Sequence, residues 1–548
     1  MEFDRKEKTT SFTVIGPPIL PISVISSTEI ENSSLGKNED TRTEEEVVEL
    51  AINETGFGKF NIKVTVICFL IYLNISLSTV STGFVLPAAA CDLQMSTVDK
   101  GLLSSSYFIG SCFSALICGF LANLKGRKWL LIVSLFLQGN ADLLQSIVSN
   151  YWIIMGLKFI SGFAGTGQLI TVFTYLSECI PLKQRKSLLS LMEFFWISGH
   201  GVASALAYGI IPLEFQFQKK YFSFQSWNLY ILICSLPGII LGFWLICFPE
   251  SPKYLAEMGS NEKLLQVLIE MYEQNNRKSA REYIEKLVNN ENTSLMKLVN
   301  RSRDKGVTVN KLSFFKEKLL MELRHTKTVL KRPLLINTCF ACFTAFCVTA
   351  SYFAIYLWLP EIFQRVVEFE ENSKNETLSF CAVSRDLQFS MKNKETDPFL
   401  CNGTVDTKVF IYNLLLCASC VPAIFPVLYF VARYGFKILL ALTSILCSGV
   451  VFGLYFVNSS LQILILLCVY LPLISVCITI SFALFVSIFP TNLRSSGVTL
   501  TSLSSRLGAS FGNIIFSYLI EQYCFEFIIL VTILLVVSAI STIIIQER

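Results

Sequence analysis

Four ionisable side chains, Lys158, Glu178, Glu193 and His200, stand within stretches otherwise built from Leu, Ile, Phe and Val, and Asp142 belongs with them less securely. A charge placed in hydrocarbon costs about 3 kcal/mol or more, so such residues mark pathways, relays or internal ion pairs. Glu193 and His200 are two helical turns apart and share one helix face, which makes proton handling or solute contact chemically available there. The structural alternative pairs Glu193 with Lys158 or another base, and makes His200 a hydrogen-bonded packing residue. Lys158 either attracts an anionic solute or reaches along its helix toward the interface. For Glu178 the expected partner is a basic side chain such as Arg494 or Arg506. Tyr352, Tyr356 and Trp358 could wall a pocket for organic solutes and cations, with an interfacial anchor as the alternative for Trp358. Asn74 is a further polar candidate in the first apolar stretch.

The elements that must hold these residues follow from composition. Of 548 residues, 53% are hydrophobic and only 16% charged, against about 25% charged in a soluble domain. Apolar stretches run at 62–90, 101–122, 128–148, 151–178, 187–211, 227–248, 334–359, 409–431, 437–458, 461–488, 495–519 and 525–545. Each approaches the roughly 20 residues that span a bilayer as a helix, and helices are required because no water inside the membrane can satisfy the backbone. The expected fold is therefore an all-α membrane protein with twelve spans.

Charge placement orients it. Lys125, Arg127 and Lys128, then Lys183, Arg185 and Lys186, then Arg433 and Lys437, then Arg494, fall on one side if the spans alternate. Segment 250–332 joins them with seventeen Lys/Arg against eleven Asp/Glu, whereas 360–408 on the other side has six against nine. The positive-inside rule then places the tail 1–60 and the loop 249–332 in the cytoplasm, with six spans in 61–248 and six in 333–548. Residues 20–48 read as a disordered tail, with a short helix at Glu45–Glu54, and the first span is expected to serve as an uncleaved insertion signal. Pro249 and Pro252 should end the sixth span and start an amphipathic helix over Tyr254–Gln274; 275–310 reads as a solvated linker. Cys381 and Cys401 share the exterior loop 360–408 and form a candidate disulfide. Asn375 and Asn402 in that loop are candidate glycosylation sites.

Internal echoes support the six-plus-six division. Gly126 with Lys128 after the second span matches Gly435 with Lys437 after the eighth, and Arg127 and Arg433 accompany them. Pro181 with Arg185 matches Pro490 with Arg494. Gly162, Gly165 and Gly167, then Gly199 and Gly201, permit close helix approach; Gly508 and Gly512 beside Arg506 do the same. Gly162–Gly167 lacks the Lys-Ser/Thr of a phosphate loop. No covalent catalysis, metal, cofactor or nucleic-acid partner is indicated, and the net charge of +4 is too small to suggest the last.

These segments resemble the major facilitator superfamily, in wording similar to the branch holding the synaptic vesicle glycoprotein 2 proteins and the organic cation and sugar transporters. The resemblance rests on Gly56–Phe60, Gly83–Pro87, Gly119–Lys128, Thr174–Glu178, Pro249–Lys253, Tyr356–Glu361, Phe489–Arg494 and Arg506–Ala509. It implies two pseudo-symmetric six-helix bundles that rock about a central site. It also implies gating roles for Asn123, Gly126, Arg127, Lys128, Glu178, Arg185, Arg433, Gly435, Lys437, Arg494 and Arg506. Departures accompany it. Asn123 and Ala432 stand where the family has Asp, Lys158 where it has Arg, Ser487 where it has Glu, and Asn74–Ser78 replaces an acidic neighbourhood. The expected function is transport of a small organic solute by alternating access, driven by its own gradient or by protons. The protein is expected to work as a monomer in contact with lipid, in a plasma or vesicle membrane. The alternative is a binding or regulatory protein on a transporter scaffold. A channel ranks below both, because no repeated filter-like segment occurs.

Overall fold

The computed structural model describes residues 44–213, 215–219, 222–289, 320, 324, 326–332, 334–372, 379–383, 405–489 and 493–545. Asn375, Asn402 and Cys401 lie outside the described residues, as do the tail before residue 44 and most of the loop that carries the two sequons.

The chain forms helices α1 (Glu44–Glu54), α2 (Lys59–Ala88), α3 (Thr97–Lys125), α4 (Arg127–Gln145), α5 (Tyr151–Cys179), α6 (Leu182–Ile210) and α7 (Ser226–Ile246). Short helices α8 (Pro252–Glu257), α9 (Asn261–Asn276) and α10 (Ala280–Asn289) follow. Then come α11 (Leu334–Tyr356), α12 (Leu359–Asn372), α13 (Thr407–Gly453), α14 (Ser460–Ile488), α15 (Arg494–Leu519) and α16 (Cys524–Ile544). Among the described residues, eight helical segments are long and apolar enough to cross a membrane, and the protein is an integral, multi-pass, all-α membrane protein. One small departure from all-helix is an antiparallel hairpin of β1 (Gln216–Lys219) and β2 (Phe222–Gln225) between α6 and α7, with Gln216 opposite Gln225.

Local chemistry sets several helix starts. Ser96 and Asp99 form a reciprocal capping box at α3. The Asn150 side chain accepts from the backbone N–H groups of Trp152 and Ile153 at α5. Ser251 caps α8, with Pro252 at its first position, where no N–H is needed. Helix α13 is broken at Gly435, which has φ 77°; Gly126 between α3 and α4 has φ 103°. Both are backbone conformations that side-chain-bearing residues avoid, so the matched Gly/Lys echoes are matched turns.

Packing repeats between the helix groups α2–α7 and α11–α16. In the first, α2 packs on α6, α3 on α5 and α4 on α7; in the second, α11 packs on α15, and α13 on α14 and α16. The groups meet where α3 lies on α15 and α6 on α13, a reciprocal pair of crossings. The main hydrophobic core runs across this junction, from Leu77, Phe84 and Phe108 to Tyr352, Phe410 and Phe516.

Three details differ from expectation. The amphipathic stretch over Tyr254–Gln274 is two helices, because Gly259 at φ 65° turns the chain between them. Part of the expected linker is packed structure: Tyr283 and Leu287 of α10 are fully buried. The Tyr283 hydroxyl donates to the Ala51 carbonyl at 2.9 Å, and burial, then the Glu54 charge, pushes that phenol up, which keeps it a donor. Val47, Val48, Ala51 and Ile52 bury one face of α1 in the same cluster.

Candidate functional site

Between the groups, a chain of rings runs from α2 through α6 to α11. Tyr72 lies 5.3 Å from Trp196, Trp196 5.6 Å from His200, His200 4.7 Å from Tyr356, and Tyr356 stacks on Tyr352 at 4.8 Å. Helical spacing accounts for the placement: Trp196 and His200 are one turn apart on α6, as are Tyr352 and Tyr356 on α11. Glu193 continues the α6 face and accepts a hydrogen bond from the Tyr72 hydroxyl at 3.3 Å. His200 is buried, and its Nε2 has no hydrogen-bond partner among the described residues, an atom poised for a solute or water.

The other sequence candidates divide between this site and its supports. Lys158 pairs with Asp142 at 3.7 Å, correcting the expected pairing with Glu193. Asp142 also accepts from Ser78 at 2.6 Å and Gln145 at 3.2 Å. Asn74 donates to Gln138 at 3.4 Å, and Gln168 donates to the same Gln138 oxygen at 2.6 Å. These side chains tie α2, α4 and α5 together, so Lys158 and Asn74 are parts of a first-group polar network rather than of the ring-lined junction. Glu178 pairs with Arg127 at 3.1 Å and accepts from Ser251, correcting the expected partners Arg494 and Arg506. Sequence order hid that contact, because α4, α5 and the α8 cap meet only in the folded chain.

Around Gly126, the Lys128 backbone N–H donates to Glu250 at 2.9 Å and its ammonium to the Ile246 carbonyl at 2.8 Å. Asn123 is exposed. Arg185 pairs with Glu49 of α1 at 2.8 Å. In the second group Lys437 donates to the Ile545 carbonyl at 2.6 Å, Arg433 lies 5.8 Å from the Tyr434 ring, and Arg494 begins α15. Arg506 is separate from all of these. Its Nε is buried without a hydrogen-bond partner, and Tyr107, Cys112 and Tyr72 of the first group lie within electrostatic reach.

A second cluster was missed by sequence reasoning. Lys100 of α3 pairs with Glu361 of α12 at 2.8 Å, and Arg365 pairs with the same carboxylate at 3.2 Å. Arg365 also donates to Thr97 at 3.1 Å and lies 3.8 Å from Glu521, which accepts from Thr97. All three charged residues of the core of this cluster are about 95% buried. The available signal was the Glu361–Arg365 spacing of one helical turn, but the apolar stretches end at residue 359 and begin at 101, so both partners read as loop. Trp358, a pocket candidate with an interfacial anchor as its alternative, is fully buried and stacks on Phe516 at 4.4 Å.

On the same side Gly83 lies so near the Leu357 carbonyl that a Cβ would sit 2.7 Å from it. Phe84, Ser204, Tyr356 and Asn413 enclose a cavity of only about 10 Å³, room for a single water at most. The disulfide is there too: Cys381 bonds Cys524 at the start of α16, with Cα atoms 5.5 Å apart, correcting the pairing with Cys401. Cys91 is likewise disulfide-bonded. Cys524 lies 143 residues from Cys381, and only the fold brings the two together.

The sugar (and other) transporter family model matches residues 13–366. The chain belongs to that family. Its members are transporters rather than enzymes. Curated relatives include synaptic vesicle glycoprotein 2B of Rattus norvegicus, 32% identical over 232 residues, covering 42% of this chain and 34% of that protein. The Homo sapiens 2B protein is 28% identical over 332 residues, covering 60% and 48%. The chain thus spans about 31% to 48% of the length of the curated relatives it matches. Among solved structures, the inward-open xylose transporter XylE of E. coli has a TM-score of 0.60 at 14% identity, covering 89% of this chain and 97% of that one. The nucleoside transporter NupG gives 0.55 at 14%, covering 89% and 100%. The fold is that of the major facilitator superfamily, as the sequence resemblance implied.

Proposed function

We propose that this protein is a secondary transporter that carries a small organic solute by alternating access, in a form closed on the side of the β1–β2 hairpin. In this reading the chain makes twelve crossings as two six-helix bundles, 61–248 and 333–548, and the connector 249–332 lies in the cytoplasm. The observation that carries it is the asymmetry of the junction. Toward the hairpin side the two groups are held together by the Lys100–Glu361–Arg365 cluster and by Ser104 with Asn513 at 3.3 Å. Toward the connector side, the pairs Arg127–Glu178, Arg127–Glu257, Arg185–Glu49 and Lys253–Glu49 join elements of the first group and its own connector. Among the described residues, these side-chain pairs join the groups at one end and lie within the first group and its connector at the other, an arrangement that suits a rocking carrier.

Glu193, His200, Tyr352 and Tyr356 then line the solute site between the bundles. Uptake into liposomes by purified protein tests the reading, with organic cations, anions, zwitterions, sugars and nucleosides offered with and without a pH gradient. Accumulation or exchange of at least one class is expected. No movement of any class by demonstrably folded protein would leave a binding or regulatory role instead.

A further inference from the structure

Two opposite charges face the junction from opposite groups, and neither has an ion-pair partner among the described residues. Glu193 projects from α6 with Tyr72 as its hydrogen-bond donor. Arg506 projects from α15, its Nε buried and unpartnered. Helical periodicity fixes where Arg506 points. Ser510, Asn513 and Ser517 share its stripe of α15, and they meet Ser105, Ser104 and Gly101 of α3. Arg506 is one turn further along that stripe, within electrostatic reach of Cys112 and Tyr107 of α3. Tyr72 is within reach of both the carboxylate and the guanidinium, yet the two charges do not pair.

Both side chains are half-buried, and leaving two such charges without counter-charges at a junction between helices is costly. The Tyr72 ring stands beside Glu193 and the rings of Trp196, Tyr356 and Tyr352 continue from it, and such rings favour a cationic head group through their faces. Arg506 supplies what Glu193 does not, a fork of N–H donors suited to a carboxylate. We propose that the transported solute is a small zwitterion, its ammonium held by Glu193 and the neighbouring rings and its carboxylate by Arg506. A net-neutral solute with separated charges compensates both groups at once, whereas a simple cation or anion leaves one of them bare. Binding would also link one bundle to the other.

This assignment rests on the transport reading above, and the test separates the two. Full-length protein in nanodiscs is titrated with glycine betaine and its longer-chain homologues, with choline, which lacks the carboxylate, and with 3,3-dimethylbutyrate, which lacks the cation. At least one betaine is expected to bind about tenfold or more tightly than both comparison compounds, a difference well within reach of one charged contact. Arg506→Gln should abolish the preference over choline and keep that over dimethylbutyrate; Glu193→Gln should do the reverse. A purely structural role would weaken all compounds alike. Arg506→Lys, which keeps the charge, guards against misfolding and should retain part of the choline ratio. Choline or dimethylbutyrate binding as tightly as every betaine would overturn the proposal, as would ratios unmoved by both substitutions. Should sugars or nucleosides accumulate in liposomes while no betaine binds, transport stands and the zwitterion assignment falls. Should betaines bind with the expected ratios while no solute moves, the zwitterion site stands and transport falls.

Discussion

The two ends of the junction between the helix groups use the same chemistry for different purposes. At the hairpin end Glu361 is shared by Lys100 from the first group and Arg365 from its own helix, so the carboxylate fastens one group to the other. At the connector end Glu178 is shared by Arg127 and Ser251 of a single group, so it stiffens that group and the start of its connector. Both are buried charge clusters. The difference is whether a rigid-body rotation must break them, and only the first stands in the way of opening on its side.

Substitutions that remove one charge from each cluster test this contrast most strongly. Glu361→Ala leaves Lys100 and Arg365 buried without a counter-charge, a loss of about 4 kcal/mol to the closed arrangement. It should raise the alkylation, from the hairpin side, of a cysteine placed at Ser204 on the cavity wall; unchanged labelling would break the comparison. Arg127→Ala removes about 3 kcal/mol from the first group by the same physics, read as a lower melting temperature in detergent, with labelling at position 204 unaltered. Increased labelling in that variant would show that the connector-end cluster also governs opening.

Smaller effects sharpen the picture. Cys381→Ser opens a cross-link between residues separated by 143 positions and should cost about 2–3 kcal/mol. Peptide mapping without reduction should recover the 381–524 linkage. The matched turn glycines give the finest comparison. A Cβ at Gly126 would fall 2.3 Å from Glu250 Oε2, whereas at Gly435 nothing among the described residues lies within 4 Å. Both substitutions to Ala meet the strain of positive φ, about 1 kcal/mol, and Gly126→Ala should melt lower because it also displaces Glu250. Equal melting temperatures would mean that Glu250 moves aside freely.

Much of the fold was legible because hydrocarbon imposes a one-dimensional rule: apolar length, helical spacing and the sign of loop charges are local properties. The Gly126/Gly435 echo was readable for the same reason, since a tight turn needs a residue without a Cβ wherever it occurs. The Glu193–His200 face followed from helical period alone, and the folded chain does set Tyr356 against that face. The Lys100–Glu361–Arg365 cluster was not readable, because its members flank apolar stretches and look like loop residues until α3 and α12 meet. The partners of Glu178, Lys158 and Cys381 were misjudged for a related reason: each candidate was sought among residues that sequence position made prominent.

The sequence by itself therefore determined that the chain is helical, membrane-embedded and organised as a repeated pattern, because those features follow from composition, period and charge along the chain. Tertiary structure alone decided which charges meet. Pairing depends on helices distant in sequence crossing at one depth, and a buried charge takes whatever counter-charge the packing brings within reach. That is why Glu178 found Arg127, Glu361 found Lys100, and Glu193 and Arg506 remain facing a shared space without each other.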